Sequence, residues 1–443
     1  MHGRAGGFLN QETSKPRALG ETLARLGRYF GRYWYMILLA VFFVVISTWT
    51  QVTTPELIGQ ATDCFLVPAG SSSGGFASFL PASDSTTQAS ASTCYLATDD
   101  PSALSFTRQI VYKAYSLGGY ETPDPAAMTA DQRIAGMFRL VMVMIGLYLL
   151  GAVLTGATFF TMAWTGQHVL RVLRVKVFEQ LHKLSLSYYS EHEAGDLMSR
   201  ITNDTTAIEQ AFSFALVNVF SGMLLLVWVS YNMVTLNLPF ALLSLAVAPL
   251  MFLATIYFSN QARKAFRVSR QEIGNVNAEL QESIAAVREV QAFNRADENI
   301  EQFKEVNAAN RDANVRAVAY TSALAPALEA LSYVALAIVT GVGGWYLLKG
   351  QTLFGATVTL GLVVTFLGYV QRFNQPIQQI AVLWTNIQNA IAGAERIFGI
   401  LDEKPSVFNK PEAKAMPPIK GLVEFDKATH SYEDGVPVLK DVS

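Results

Sequence analysis

Six stretches of the chain carry no charged residue, or only one: Trp34–Pro55, Leu140–Trp164, Ala211–Leu236, Leu238–Phe258, Val318–Leu348 and Leu353–Val370. Each approaches or exceeds the ~20 residues a helix needs to cross a hydrocarbon layer of ~30 Å. The helical pattern continues where the apolar stretches end. Leu170, Leu173, Val177, Leu181 and Leu184 recur at three- and four-residue steps after the second stretch, which predicts one apolar face on a continuing helix. At 1.5 Å per residue, Thr165 to Leu186 would project roughly 30 Å beyond the membrane. Val276, Leu280, Ile284 and Val287 extend the fourth stretch in the same way. Two stalks result, with tips between about Ser187 and Gly195 and between about Phe293 and Asn299. The apolar faces of paired stalks require mutual burial, so two readings stand. Either the tips dock a cytoplasmic partner, or the stalks pack only on one another.

The connections differ sharply in character. The first, roughly 59–133, contains a run rich in Ser, Ala, Gly and Thr from Ala69 to Thr93 with no apolar period, which reads as flexible. Its second half spaces Phe106, Ile110, Val111, Tyr112 and Tyr115 as a short amphipathic helix ahead of turn residues Gly118, Gly119, Pro123 and Pro125. Near the other end, a helix through Ala394–Leu401 gives way to Pro405, Pro411, Pro417 and Pro418, so 404–420 reads as a linker. Beyond it, Leu422, Val423 and Phe425 predict a strand and His430–Tyr432 a second, with Glu433, Asp434 and Gly435 as a turn. The expected organisation is an amino-terminal segment over 1–32, a helical membrane domain over 33–403, the linker, and the beginning of another domain over 421–443.

Composition agrees with a membrane protein: 51% of 443 residues are hydrophobic and 15% charged. A soluble domain has little use for six helices without a polar face, and the first stretch is too long for a secretory signal and lacks a small-residue cleavage site. Basic residues set the expected orientation. Arg4, Lys15, Arg17, Arg25, Arg28 and Arg32 precede the first stretch, and both stalks are rich in Arg and Lys. The opposite connections hold Arg108, Lys113, Arg133 and Lys349. A multi-pass protein of the plasma membrane with both termini cytoplasmic is therefore expected. The net charge of −2 and the lack of basic clusters interleaved with aromatics argue against a nucleic-acid partner. Cys64 and Cys94 both fall in the loop assigned to the outside, where an oxidising compartment permits a disulfide. Two free thiols are the alternative.

Glu329 is the only acidic residue deep in a predicted span. A lone carboxylate in lipid is costly, so it should face a cavity or a partner. It reads either as a contact for a cationic or polar substrate, or as a carboxyl that is protonated or bonded to Ser322 or Ser332. Gln371, Gln375 and Gln378 cluster with Arg372, Asn374 and Gln379 around Pro376. Amides suit a wet cavity, and equally the headgroup level or a turn loosened by proline. Pro249 and Pro326 predict helix kinks, and no metal site is expected.

Three segments carry a resemblance to a known family: LSLSYYSEHEAGDLMSRITND from Leu184 to Asp204, SIAAVREVQAFNRADENIEQF from Ser283 to Phe303, and GLVEFDKATHSYEDGVPVLKDVS from Gly421 to Ser443. Together they resemble the half-transporters of the exporter type of ATP-binding-cassette transporter, the type IV fold, over nearly the whole chain except the long outer loop. The resemblance implies an all-α membrane protein with six transmembrane helices, long cytoplasmic extensions and coupling helices, followed by the first β-strands of a truncated α/β nucleotide-binding domain. It assigns Ser187, Tyr188, Tyr189 and Glu191 to the first coupling loop and Phe293, Arg295 and Asp297 to the second. Tyr432 corresponds to the aromatic that stacks on adenine. The sixth span, with Gln371, Gln375 and Gln378, corresponds to a helix that lines the pathway.

The implied function is ATP-driven export of a hydrophobic or amphipathic substrate, a drug, lipid or peptide, by alternating access. The implied partners are the bilayer and a second half-transporter, identical or different. ATP and Mg2+ would be bound mainly by residues beyond these 443, because no G-x-x-x-x-G-K-[ST] loop occurs and the Walker B and signature motifs are missing. No catalytic residue is assigned, and these residues alone are not expected to hydrolyse ATP. The outer loop is longer than is usual in the family. A nucleotide-independent secondary transporter or channel is the main alternative, and a non-transporting membrane scaffold a third.

Overall fold

The computed structural model describes residues 19–67, 94–97, 102, 104–117, 120, 128–349, 351–355, 357–407, 412–416, 418, 420–433 and 436–443. The Ser-rich run Ala69–Thr93 lies outside the described residues, as do Gly118, Gly119, Pro123, Pro125, Pro411, Pro417, Asp434 and Gly435. The described chain is helical apart from one hairpin. Helix α1 (Leu19–Gly31) turns at Tyr33 into α2 (Trp34–Ala61), which runs on through a π-turn at Thr62–Leu66. Helix α3 (Phe106–Tyr115) buries Val111 and Tyr115. Helix α4 (Ala130–Leu181) begins at a capping box, in which the Gln132 amide donates to the Thr129 hydroxyl and the Thr129 amide to the Gln132 side chain. Helices α5 (Leu186–Glu191), α6 (Ala194–Ser199), α7 (Thr205–Gln210) and α8 (Leu216–Leu236) come next, the last three joined by π-turns into one rod.

The predicted stretch Leu238–Phe258 is not one helix. Helix α9 (Leu238–Leu245), capped by the Asn237 side chain, stops before α10 (Ala248–Ala285). Pro249 at the start of α10 lacks an amide hydrogen, and its ring crowds the carbonyl four residues back, which interrupts the hydrogen bonding at Ala246 and Val247 while the two helices still run on as one rod, Leu238–Ala285. Then come α11 (Val287–Ala292), α12 (Ala296–Lys349) and α13 (Leu360–Asp402).

Among the described residues, five helical rods are long and apolar enough to cross a membrane: Trp34–Leu66, Ala130–Leu181, Ala194–Leu236, Leu238–Ala285 and Ala296–Lys349. The sixth predicted stretch, Leu353–Val370, is helical only from Leu360. Phe354 and Gly355 adopt left-handed backbone with φ of 49° and 84°, and Thr359 caps the new helix through Leu362 N–H. Helix α13 is the hub around which α2, α8 and α12 pack. One core joins Val52, Val229, Met233, Phe240, Val339, Phe366 and Tyr369. Backbones approach closely at Gly59 and Gly361, since a Cβ on Gly361 would lie 2.2 Å from the Gly59 carbonyl oxygen. Small residues at such a crossing are what let helices pack in lipid, where the hydrophobic effect does not drive them together.

A second core on the amino-terminal side of the membrane joins Leu26 and Phe30 of α1 to Leu173, Val177 and Leu181 of α4 and to Ala394 and Ile397 of α13. The apolar face of the α4 stalk is thereby covered. The α10–α12 stalk is not. Between 261 and 316 only Ser269, Val276 and Ala313 are buried. Of the four residues expected on its apolar face, only Val276 is covered, while Leu280, Ile284 and Val287 are exposed. At the carboxyl end, β1 (Ala428–Glu433) pairs antiparallel with β2 (Val436–Val442). Leu422, Val423 and Phe425 form no strand and are exposed, because a strand needs a ladder partner and none lies beside them among the described residues.

Candidate functional site

The first tip is built by a break in a long helix. Chain direction changes over His182–Ser185, after which α5 places Leu186 at 87% exposure and Tyr189 partly exposed. Tyr189 is anchored by its hydroxyl to the Leu181 carbonyl at 2.7 Å. Tyr188 stacks on His192 with centroids 4.1 Å apart, and burial pushes its phenol up, opposed by the Arg200 charge. Ser187 and Glu191 sit on the exposed part of the same turn. The start of the predicted linker leans on this tip. The Ser406 amide donates to the Ser185 hydroxyl at 2.9 Å, and Gln180 donates to the Glu403 carbonyl at 2.7 Å.

The second tip is narrower than the sequence predicts. Asn294 takes left-handed backbone, φ 53°, and closes α11 with bonds from Arg295 N–H to Val290 and from Asn294 N–H to Gln291. This is a Schellman closure, in which Asn tolerates the conformation that most side chains resist. The reversal occupies only Phe293–Arg295, so Asp297 belongs to the first turn of α12 rather than to the loop. Acidic Asp297 and Glu298 suit that helix start, and Arg295 pairs with Glu298. Phe293 stands 76% exposed at the extremity.

Between α2, α4, α8 and α13 lies a cavity of about 210 Å³ lined by Ser47, Thr48, Gln51, Thr155, Thr158, Asn218, Ser221 and Gln375 beside Pro376. Gly222 allows the approach, for a Cβ there would stand 3.2 Å from Pro376. Ser47, Thr158 and Ser221 donate to carbonyls of their own helices, which leaves their oxygens as acceptors. The lining is neutral and carries both donors and acceptors. Of the amides singled out in the sequence, Gln375 reaches this cavity with Gln379. Gln371 is exposed outside it, and Gln378 lies in α13 with its side chain outside the described residues. The hydroxyl residues are not among those the sequence singles out. Their signal is a repeat of small polar residues at three- and four-residue steps, Ser47 to Gln51 and Thr155 to Thr158, within otherwise apolar helices.

Glu329 lies on an exposed face of α12 and accepts from the Tyr333 hydroxyl at 3.1 Å. The carboxylate therefore bonds neither Ser322 nor Ser332. Tyr333, four residues on, is its neighbour on the same helical face, and Ser332 is buried on another. Cys64 and Cys94 are joined by a disulfide with Cα atoms 5.2 Å apart. Tyr432 lies in β1, and its side chain is outside the described residues. Among the described residues no cluster of three or more His, Cys, Asp or Glu side chains could hold a metal ion. The sequence holds no G-x-x-x-x-G-K-[ST] phosphate loop.

Residues 36–377 match the ABC transporter transmembrane region. The chain is 30% identical over 312 residues to a fatty acid ABC transporter ATP-binding/permease protein of Mycobacterium tuberculosis, covering 70% of this chain and 48% of that protein. It is 29% identical over 319 residues to an uncharacterized ABC transporter ATP-binding protein of Bacillus subtilis, with coverage of 71% and 52%. An ATP-dependent lipid A-core flippase of Syntrophus aciditrophicus is 27% identical over 291 residues, with coverage of 65% and 47%. The chain spans about half the length of these curated relatives.

Proposed function

Because the chain belongs to the ABC transporter transmembrane region family, we propose that it is the membrane half of one subunit of an ATP-driven exporter, working with a second half-transporter. In this reading α13 is the sixth span, beside the five long apolar rods, and both termini face the cytoplasm. The observation that carries the proposal is the pair of tips. Leu186 and Phe293, 87% and 76% exposed, end two stalks continuous with bilayer helices, and large apolar side chains held in water at such points mark protein contacts.

A nucleotide-binding domain covering the tips would turn its own closure into tilt of the stalks. Helices of 52 and 54 residues act as levers because their backbone bonds are internal and cooperative. To move most of the population between two arrangements, nucleotide must favour one by about 5 kcal/mol. Tyr432 would offer an aromatic face to adenine, while the phosphates and Mg2+ fall to residues outside these 443. ATP binding would favour one arrangement and hydrolysis would reset the cycle, with hydrolysis assigned to no residue of this chain.

The exposed Leu280, Ile284 and Val287 on the α10–α12 stalk support the second subunit, which would cover them. The neutral cavity at Gln375 suits an amphipathic molecule, since it offers hydrogen bonds without a fixed charge. The fatty acid and lipid A-core named for two relatives are of that chemical type. Glu329 and Tyr333, exposed on α12 in the single chain, would line the same pathway in the pair.

The test is transport of a fluorescent fatty acid by the complete subunit in proteoliposomes, alone and with candidate partners. Uptake that requires ATP and fails with a non-hydrolysable analogue is expected. Equal movement with and without nucleotide would mean a carrier or channel, and no movement with any partner would leave only a scaffold.

A further inference from the structure

Helix α1 buries Thr22, Leu26 and Phe30 against the rest of the protein, while Arg28 on its other side and Arg32 in the turn that follows are exposed. Between this helix and the stalk part of α4 lies a cavity of about 410 Å³. Val169 and Val172 line its floor, Tyr29 and Tyr33 its walls, and Arg25, Arg28, Arg32 and Lys176 surround it. Arg25 is already paired with Asp402 and lies 4.3 Å from the Phe398 ring. The other three cations form no salt bridge among the described residues. Lys176 instead stands 4.7 Å over the Tyr29 ring, which positions its ammonium at the mouth.

The first residues of α2 fix the depth of this cavity. Trp34 and Tyr35, both exposed, begin that helix two and three residues after Arg32. Aromatics of this kind mark the boundary between headgroups and hydrocarbon. Trp34, Leu38 and Phe42 then recur every four residues and are 62%, 57% and 57% exposed, forming an apolar stripe along the start of the helix that follows Arg32 and Tyr33 of the cavity lining. A cationic rim with an apolar floor, followed directly in the chain by such a stripe, matches a molecule carrying a phosphate at one end and an acyl chain at the other. Arg is the side chain best shaped for that phosphate, because its planar fork grips two oxygens at once.

We propose that the cavity between α1 and α4 is a binding site for the headgroup of an anionic glycerophospholipid in the leaflet on the amino-terminal side, with Arg28, Arg32 and Lys176 holding the phosphate and Trp34, Leu38 and Phe42 flanking the acyl chain. The site is separate from the cavity at Gln375 and needs neither nucleotide nor a second subunit. A free phosphate would satisfy the cations but would leave the valine floor and the apolar stripe without a role.

The test uses the full chain purified in detergent, offered equimolar phosphatidylglycerol and phosphatidylcholine, with bound lipids counted by native mass spectrometry. The wild type is expected to retain phosphatidylglycerol preferentially. Each cation removed in the series Lys176→Gln, Arg28→Gln and Arg32→Gln should lower that retention about fivefold, the weight of one basic residue beside an anionic surface, with phosphatidylcholine unchanged. Ten-millimolar inorganic phosphate should not displace the lipid. Equal retention of both lipids by the wild type, or a preference surviving the triple substitution, overturns the proposal. Displacement by inorganic phosphate overturns it in favour of a soluble anion. If the triple variant does not fold, exposed Lys176→Gln alone gives the reading, and unchanged retention there likewise counts against the site.

Discussion

Asp204 and Arg396, 192 positions apart, are joined by two parallel hydrogen bonds, from Nε to one carboxylate oxygen at 2.8 Å and from a terminal nitrogen to the other at 2.5 Å. The pair ties the rod of α6–α8 to the far end of α13. Arg174 supports it from α4 by donating to the Thr205 and Thr206 hydroxyls, each at 3.1 Å. The Asp204 side chain is 12% exposed and that of Arg396 44%, so the carboxylate depends on its partner far more than the guanidinium does. The bond to Asp204 raises the Arg396 guanidinium further above its ordinary value.

Removing the arginine leaves that carboxylate half-solvated at best. Arg396→Gln should lower stability by about 2 kcal/mol, within the range for a lost bond to a charged group. Asp204→Asn should cost less, because the guanidinium can turn to water. Thermal unfolding in detergent of both single variants and the double variant measures the coupling. Strictly additive losses would mean that the pair contributes nothing as a pair.

The crossing of α2 and α13 predicts a sharper contrast. A Cβ on Gly361 would meet the Gly59 carbonyl at 2.2 Å and the Asp63 carboxyl carbon at 2.4 Å, and the first of these is rigid backbone. Gly146 has nothing within 4 Å of such an atom. Gly361→Val should therefore cost on the order of 3 kcal/mol or abolish folding through overpacking, whereas Gly146→Val should leave the melting temperature nearly unchanged. A comparison of expression level and thermal transition for the two variants decides it, and similar values would show that the close approach is not maintained.

The long rods are legible in the sequence because lipid imposes length and forbids charge, and both properties are visible residue by residue in stretches such as Leu140–Trp164. The stalks are legible wherever a heptad-like apolar face is actually covered, as at Leu173, Val177 and Leu181. On α10 the same periodicity gives a face that the chain itself leaves open at Ile284, since a sequence shows that a face is apolar without showing what lies against it. The start of α13 is not legible, because absence of charge over Leu353–Thr359 does not distinguish helix from turn, and only the backbone at Phe354 and Gly355 does so. The polar cavity is hidden because its serines and threonines satisfy their hydroxyls within their own helices and cost little in hydropathy. Gln375 is visible only because amides are conspicuous in an apolar helix.

The bond between Arg25 and Asp402 holds the Asp402 carboxyl below its ordinary value, against a small opposing effect of burial. A carboxylate depressed in the folded state contributes stability above its unfolded pKa of about 4 and loses it as pH falls through the lower folded value. Arg25 is raised by the same bond, so its own contribution changes only in strong alkali. The side chains are 24% and 58% exposed, which limits the effect to about 0.5 kcal/mol. Asp402→Asn should therefore melt slightly lower than wild type at pH 7 and equally at pH 3, with the difference shrinking in 1 M salt. A gap that persists at pH 3 would assign the loss to packing against Phe398 rather than to charge.

The Cys64–Cys94 bond closes a segment with a sequence separation of 30 onto the end of α2 remote from α1. Beside it the Tyr95 amide donates to the Gln60 side chain at 3.0 Å, and Arg108 donates to the Glu56 carboxylate at 2.7 Å. Glu56 is 8% exposed, so this second tie holds a charge that would be costly to leave alone. Closing a loop of that length restricts the unfolded chain by about 3.5 kcal/mol. The Arg108 bridge and the buried side chains of Leu96, Val111 and Tyr115 remain when the disulfide is broken. Cys94→Ser should therefore lower the melting temperature without unfolding this cluster. Cys94→Ser combined with Arg108→Gln should release the cluster altogether, because no covalent tie then compensates for the stranded carboxylate. Limited proteolysis of the purified protein reads this directly. Slow cleavage is expected in the single variant and fast cleavage in the double variant, with a mobility change on non-reducing gels in both. Fast cleavage in the single variant would show that the disulfide alone holds the loop.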